Sequence, residues 1–238
     1  MTACLGLRRH RTLRVGKPLI LAALGARGTG KSAWVKQTLD RQAPKRLAVW
    51  DLMQEYSDLT VYADLGEAVR AMKAKTFRIA FHPSRDDRKR ELQFDLWCRA
   101  VLAAGRLTAV VEELAFVTKP MKAPSGWREM VLLGRHEQHQ LSIIGTSQRP
   151  ASIDKDFLSN CDVVHCGRLA YRPDADKAAM VLDVPTEDIL RLPDLAYFER
   201  AAGAAAAVRG ELSFGAKPKR NRAPLGSKPK GEKLPPAE

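Results

Sequence analysis

The sequence predicts an α/β fold in which a mostly parallel central sheet is flanked by helices, and three observations support this prediction. Apolar segments that fit strands alternate with amphipathic segments that fit helices along residues 18–169. The strand segments, such as PLILAALG at 18–25, are apolar at nearly every position, which is typical of parallel strands buried on both faces. A glycine-rich stretch, GARGTGKS at 25–32, joins the first strand to the first helix.

Each predicted element follows from its own pattern. Short apolar runs predict six strands, at residues 18–25, 46–52, 76–83, 107–114, 141–148 and 162–169. Amphipathic runs predict four helices, at residues 31–41, 64–74, 88–105 and 127–139. The alanine-rich stretch at 201–207 has high helix propensity, but it lies between AYFER and VRGEL, so we predict a C-terminal β-hairpin there.

Charge is concentrated at the two ends of the chain. The net charge of the 238 residues is +13, of which residues 1–17 and residues 215–238 contribute +5 each. We therefore predict one folded domain over 17–214, a basic flexible segment at 1–16 and a disordered tail rich in Pro and Lys at 215–238. Basic ends attract nucleic-acid phosphates without reading sequence, although tails that only aid solubility remain the alternative.

The chain has no apolar run near the roughly 18 residues that would span a bilayer, and no signal-peptide pattern. We therefore expect a cytoplasmic protein that does not insert into a membrane.

The stretch at 25–32 matches the pattern G-x-x-x-x-G-K-[ST] in the expected context of a strand followed by a helix. Its glycines let successive N–H groups point at phosphate oxygens, and the helix adds its positive N-terminal end. Lys31 is expected to reach the β- and γ-phosphates of ATP, and Ser32 to ligate Mg²⁺. The predicted nucleotide-binding residues are thus Gly25, Ala26, Arg27, Gly28, Thr29, Gly30, Lys31 and Ser32.

Two consecutive carboxylates, Glu112 and Glu113, follow the apolar run of the fourth predicted strand. Hydrolysis of a nucleotide needs a metal partner and a base for water, so we predict Glu112 as a metal-supporting residue and Glu113 as the base. Asp is usual at the first of these positions, so Glu112 is a departure from the common pattern.

The fifth predicted strand ends in polar residues, in the sequence IIGTSQRP. An amide side chain beside the γ-phosphate can position the attacking water, which makes Gln148 a candidate catalytic residue. A simple turn at the end of the strand is the alternative, because Pro150 ends the strand.

Together, GARGTGKS, WDLMQEY (50–56), VVEE and GTSQRP resemble the HerA–FtsK superfamily of P-loop ATPases, over roughly residues 18–170. WDLMQEY is similar to the D-x-x-x-E-Y that follows the second strand in this family, and it adds Asp51 to the expected nucleotide-binding residues. TSQRP is similar to a T-Q-R-P stretch whose glutamine is the sensor, which is the position of Gln148. The small size is similar to that of the genome-packaging ATPases of tailless, membrane-containing phages.

This resemblance implies a P-loop ATPase domain over 17–214 with a RecA-like sheet of the ASCE type. In this sheet the sensor strand (141–148) lies between the P-loop strand (18–25) and the VVEE strand (107–114). It also implies a ring, usually a hexamer, around double-stranded DNA, with an arginine from the neighbouring subunit completing each ATP site. Arg135 is the first candidate for this arginine, and Arg149 and Arg168 are the alternatives.

The expected function is therefore an ATP-driven translocase of double-stranded DNA, most simply a genome-packaging ATPase of a phage or mobile element. If the chain is viral, the host cytoplasm or the virion is its expected location, and a capsid or membrane vertex protein its candidate docking partner. Filamentous-phage export, DNA transfer in conjugation and a monomeric P-loop switch or kinase are the alternatives. The loop at 116–126, with two lysines, two prolines and a glycine, is the candidate DNA contact.

Overall fold

The computed structural model describes residues 17–213. The predicted basic segments at 1–16 and 215–238, together with residue 214, lie outside this range. The strands are β1 (Ile20–Leu24), β2 (Arg46–Trp50), β3 (Thr60–Tyr62), β4 (Phe77–Phe81), β5 (Thr108–Val111), β6 (Ser142–Ser147), β7 (Val163–Gly167), β8 (Ala196–Ala201) and β9 (Val208–Glu211). The helices are α1 (Lys31–Gln42), α2 (Leu65–Ala71), α3 (Asp87–Ala104), α4 (Ser125–Leu133), α5 (Lys155–Ser159), α6 (Arg172–Leu182) and α7 (Thr186–Leu190).

These strands form one nine-stranded sheet in the order β3-β4-β2-β5-β6-β1-β7-β8-β9. All neighbours pair in parallel up to β7, and β8 and β9 pair antiparallel as a hairpin at the edge. The predicted α/β class, the parallel sheet and the C-terminal hairpin are confirmed. Strand β6, the predicted sensor strand, lies between β1 and β5, as the family resemblance implies.

The core lies on both faces of the sheet, because the central strands are buried along their whole length. One face packs against α1 through Trp34, Val35 and Leu39. The other face packs against α3 and α4 through a cluster of aromatic side chains, which includes Trp97 and Trp127. No helix within residues 17–213 combines the length and the apolar character that crossing a bilayer requires.

The structure corrects one predicted helix. The helix predicted at 127–139 ends at Leu133, and Arg135 lies in the turn that follows. The helix stops because the carbonyl of Gly134 accepts a hydrogen bond from Leu141 N at 2.7 Å, which turns the chain into β6. The sequence reading also missed the short strand β3 and the helices α5, α6 and α7.

Candidate active site

The glycine-rich loop at 25–32 leaves β1 and enters α1 through left-handed backbone conformations. Gly25, Gly28 and Gly30 have φ angles of 144°, 81° and 99°, which side chains on L-residues rarely allow. A Cβ on Gly25 would lie 2.5 Å from Thr29 Oγ1, whereas a Cβ on Gly28 would meet no atom within 4 Å. The loop is therefore packed at its start and open at Gly28, where a ligand can approach the backbone.

Lys31 lies across this loop. Its ammonium donates hydrogen bonds to the carbonyls of Gly25 at 2.7 Å and Ala26 at 2.9 Å. Burial lowers the pKa of Lys31, and the charges of nearby carboxylates, led by Glu113, oppose this shift. The structure therefore places a cation within the loop, with a carboxylate of the β5 end close enough to interact with it.

Glu113 is held by residues at the end of β6. Its carboxylate accepts hydrogen bonds from Ser147 Oγ at 3.1 Å and from the backbone N–H of Gln148 at 3.0 Å. Its own N–H donates to Thr146 Oγ1 at 3.1 Å, and its φ of 51° turns the chain away from β5. The two polar motifs predicted from sequence, at the ends of β5 and β6, thus form one hydrogen-bonded unit.

Glu112 is buried on the side of the sheet that faces α1. Its Oε2 has no hydrogen-bond partner among the described residues. Burial raises the pKa of Glu112 to about 8, helped by repulsion from Glu55 and Asp51 and opposed by Lys36. Ser32 lies one turn before Lys36 on α1 and so shares its helix face. A buried carboxylate oxygen without a partner, facing the helix that carries Ser32, fits a hard cation such as Mg²⁺.

This raised pKa predicts a specific dependence of stability on pH. Between the unfolded pKa of about 4.3 and the folded value, the folded chain holds a proton that the unfolded chain releases, so stability falls as pH rises. We measure the free energy of unfolding by denaturant titration at pH 6 and pH 8.5. Wild type should lose about 2 kcal/mol more than Glu112→Gln between these two pH values. The exposed Glu129 on α4 provides a control, Glu129→Gln, which should keep the wild-type pH dependence. Equal pH dependence in wild type and Glu112→Gln would contradict the assignment.

Asp51 follows β2 and is fully buried. Its carboxylate accepts hydrogen bonds from the backbone N–H groups of Glu55 and Tyr56, at 2.9 and 3.1 Å, and lies 3.2 Å from His82 Nε2. These contacts fix the turn after β2 and bring Glu55 close to Glu112. Asp51 thus stabilises this turn and acts electrostatically on Glu112. Direct contact between Asp51 and a nucleotide stays a prediction.

The three candidate arginines lie in different places. Arg135 Nη1 contacts Asp162 Oδ1 at 3.0 Å, and Asp162 Oδ2 accepts from Ile20 N, which places Arg135 at the amino edge of the sheet. The P-loop lies at the other end of β1, about 13 Å of strand away. The structure therefore does not bring Arg135 together with the other predicted site residues of its own chain.

Arg149 and Arg168 lie on the P-loop side. Arg149 Nε donates to the buried Asp174 at 2.9 Å, and its guanidinium lies 5.3 Å from the ring centroid of Tyr171. Arg168 binds Asp194 at 2.6 Å, and its carbonyl accepts from Ala26 N in the P-loop.

Sequence reasoning missed several residues that shape this site. Thr146 and Ser147 orient Glu113, and the signal for them was two hydroxyls at the buried end of an apolar strand. Asp174 lies at the start of α6 and holds both Arg149 and the N–H of Ala151. No pattern in the sequence marked Asp174, because its partners lie 23 and 25 residues away.

Sequence comparison finds a relative of this chain in a phage. The chain is 29% identical to Protein P9 of Pseudoalteromonas phage PM2 over 180 residues, which cover 72% of this chain and 78% of the phage protein. No protein-family model matches the chain.

Several solved structures share the fold. The genome packaging NTPase B204 from Sulfolobus turreted icosahedral virus 2, in complex with AMPPCP, superposes with a TM-score of 0.63 at 13% identity, covering 83% of this chain and 99% of B204. VirB4 of Thermoanaerobacter pseudethanolicus gives a TM-score of 0.63 at 10% identity, covering 82% of this chain and 90% of VirB4. The bacterial conjugative coupling protein TrwBdeltaN70 gives 0.59 at 11% identity, covering 87% of this chain and 88% of TrwBdeltaN70.

At these identities the structural likeness concerns the fold alone, and it confirms the predicted P-loop NTPase architecture. The predicted resemblance to HerA–FtsK ATPases, and to packaging ATPases among them, is confirmed by the phage relative and the shared fold.

Proposed function

We propose that this chain, a relative of phage PM2 Protein P9 with the fold of a packaging NTPase, is a Mg²⁺-dependent ATPase that translocates double-stranded DNA to package a genome. The observation that carries the proposal is the position of Glu113. Its carboxylate is held by the end of β6, between the P-loop strand β1 and its own strand β5, and it interacts with Lys31. The proposed base, Glu113, and the proposed phosphate-binding cation, Lys31, therefore lie at the same edge of the sheet.

The residues at this edge fit a triphosphate and a metal ion. The open backbone at Gly28 and the ammonium of Lys31 are suited to phosphate oxygens, and the unpartnered Oε2 of Glu112 with Ser32 is suited to a metal. Mg²⁺ would neutralise charge on the phosphates when bound. Because a metal ligand must be deprotonated, its binding would displace the proton that the raised pKa of Glu112 retains.

The chemistry assigned to the protein is phosphoanhydride hydrolysis. A water oxygen attacks the γ-phosphorus, the bond from this phosphorus to the bridging oxygen breaks, and ADP leaves with the electron pair. Glu113 accepts the proton of the attacking water. Ser147 and the N–H of Gln148 orient its carboxylate, and the Gln148 side chain is proposed to position the water.

The DNA contact is proposed for the turn after the VVEE strand. Lys119 and Lys122 exchange two backbone hydrogen bonds, at 2.9 and 3.1 Å, and so close a tight hairpin. Met121 at its tip is exposed, with 85% of its surface accessible. The base of the turn is fixed by Thr118, whose hydroxyl donates to Leu114 O at 3.0 Å. Leu114 is the residue after Glu113, so the lysines project from a segment joined directly to the proposed base.

The neighbouring-subunit arginine remains part of the proposal. Arg135 lies at the amino edge of the sheet, so it can serve only a nucleotide bound by another copy of the chain. We propose a homo-oligomeric ring, with six subunits as the expected number, in which Arg135 faces the next P-loop. Arg149 and Arg168 remain alternatives because both lie near the P-loop edge of the sheet. Each of them already pairs with a carboxylate of its own chain, Asp174 and Asp194 respectively.

Packaging is favoured over conjugative transfer by the sequence relative. VirB4 and TrwBdeltaN70 share the fold about as closely as B204 does, so the fold does not distinguish the cargo. The relative detected by sequence is a phage protein, which favours movement of a phage genome. A kinase or nucleotide switch would instead transfer phosphate to an acceptor or turn over without a response to DNA.

The test of this proposal is steady-state ATP hydrolysis with DNA of increasing length. Wild-type protein should release inorganic phosphate. Long double-stranded DNA should accelerate this release severalfold more than short duplexes that are added at the same total concentration of base pairs. Phosphate release that does not respond to DNA would favour the nucleotide switch, and transfer to an acceptor would favour the kinase.

The double variant Lys119→Ala/Lys122→Ala tests the proposed DNA contact. Each lost phosphate contact reduces the magnitude of the slope of log affinity against log salt by about 0.9. This variant should therefore reduce that magnitude by about 2, and DNA should no longer stimulate its ATP hydrolysis. The matched control is Lys73→Ala/Lys75→Ala, which removes two exposed lysines from the turn before β4. Equal salt slopes for the two double variants would remove the hairpin as the DNA contact.

A further inference from the structure

The last glycine of the P-loop is in contact with the C-terminal end of the described chain. A Cβ on Gly30 would lie 2.4 Å from Leu212 Cδ1 and 3.3 Å from Leu195 Cδ2. The space where other residues carry a side chain is therefore filled by two leucines more than 160 positions away along the sequence. The absence of a side chain at Gly30 serves this contact as well as the backbone conformation, whose φ is 99°.

Leu212 is itself held firmly in place. Its side chain is buried in the cluster beneath α1, together with Trp34 and Tyr197. Its backbone N–H donates to the carbonyl of Leu195 at 2.9 Å. The carbonyl of Ser213, the residue after Leu212, accepts a hydrogen bond from Gln37 Nε2 at 3.1 Å. Leu212 is thus tied to the start of β8 by its backbone and to α1 through the neighbouring residue.

The P-loop therefore has one open side and one supported side. Gly28 has no atom within 4 Å of its Cβ position, whereas Gly30 is pressed against the two leucines. Glycine can adopt many backbone conformations, so fixing it in the one that binds a ligand costs entropy. A side chain that removes the other conformations in advance lowers this cost and so raises affinity.

We propose that Leu212, supported by Leu195, is a positioning residue for nucleotide binding, which holds Gly30 and the first turn of α1 in the phosphate-binding conformation. This inference rests on the proposed function only in taking a nucleotide as the ligand of the P-loop. It couples the end of the hairpin to the nucleotide site, and coupling of this kind is reciprocal: nucleotide binding should in turn stabilise the contact of Leu212.

The experiment measures the Kd of Mg·AMPPCP by calorimetry for four proteins at a temperature well below unfolding. Leu212→Ala should weaken binding about fivefold to twentyfold, while Leu212→Met, which keeps the volume, should remain near wild type. The control is Leu182→Ala on α6, a fully buried leucine in the cluster on the opposite face of the sheet. It should lower thermal stability without changing the Kd.

Steady-state kinetics separate positioning from a general loss of activity. Leu212→Ala should raise KM for ATP by a similar factor and leave kcat within about twofold of wild type, because Leu212 does not touch the reacting atoms. A reduced kcat at unchanged KM, or a Kd equal to that of wild type, would overturn the inference.

Hydrogen exchange of the wild-type protein tests the reciprocal effect and does not depend on the folding of any variant. The peptide that contains the Leu212 amide should exchange severalfold more slowly after addition of Mg·AMPPCP. Unchanged exchange at saturating ligand would overturn the inference, whereas failure of the wild type to bind the nucleotide at all would instead contradict the proposed function.

Discussion

A Glu113→Gln variant is expected to bind ATP within about twofold of wild type and to hydrolyse it at least about 100-fold more slowly, the usual loss when a general base is removed. Glutamine keeps the size of the side chain and an oxygen that can accept from Ser147 and from the N–H of Gln148. It cannot accept the proton of the attacking water. Binding and turnover should therefore separate in this variant, as measured by calorimetry and by phosphate release.

The control for this variant is Glu129→Gln, which makes the same chemical change at an exposed position on α4. It should hydrolyse ATP at the wild-type rate. If Glu113→Gln retained more than about a tenth of the wild-type turnover, Glu113 would not be the base.

Replacing Lys31 with Ala is expected to weaken ATP binding at least about 100-fold, which corresponds to roughly 2.7 kcal/mol. The ammonium of Lys31 lies within the P-loop, bonded to the carbonyls of Gly25 and Ala26, and a charge-assisted contact to phosphate is among the strongest polar contacts available. The variant removes the cation that would bind phosphate, and the carbonyls of Gly25 and Ala26 lose the hydrogen bonds that Lys31 donates to them. Titration with a fluorescent ATP analogue measures the effect.

Lys45→Ala provides the matched control, because Lys45 is exposed and lies just before β2 at the amino edge of the sheet. Its affinity for the analogue should equal that of wild type. Wild-type affinity in Lys31→Ala would mean that the P-loop does not carry the nucleotide.

The parts of the fold that the sequence predicted are those encoded locally. The buried strands have continuous apolar runs, and GARGTGKS carries both the strand-to-helix turn and the phosphate-binding pattern within eight residues. The pairing of Glu113 with Gln148 was also accessible, since the family resemblance places β6 between β1 and β5. Both polar residues then follow neighbouring parallel strands at one edge.

The parts that the sequence did not predict depend on contacts between distant residues. Leu212 looks like any strand leucine, and its contact with Gly30 exists only because the terminal hairpin folds back onto α1. The position of Arg135 was misjudged because the carbonyl of Gly134 bonds to Leu141 and ends the preceding helix early. The helix α6 begins with an Arg-Pro pair and carries five charged or proline residues within its first six positions, which hid its buried alanine face.

We propose that ATP hydrolysis moves this chain along double-stranded DNA, and displacement of the third strand from a DNA triplex measures such movement directly. Wild-type protein should displace the third strand from a long duplex with ATP, but not with AMPPCP, and Glu113→Gln should displace none. Hydrolysis of ATP at the full DNA-stimulated rate with the triplex left intact would contradict translocation.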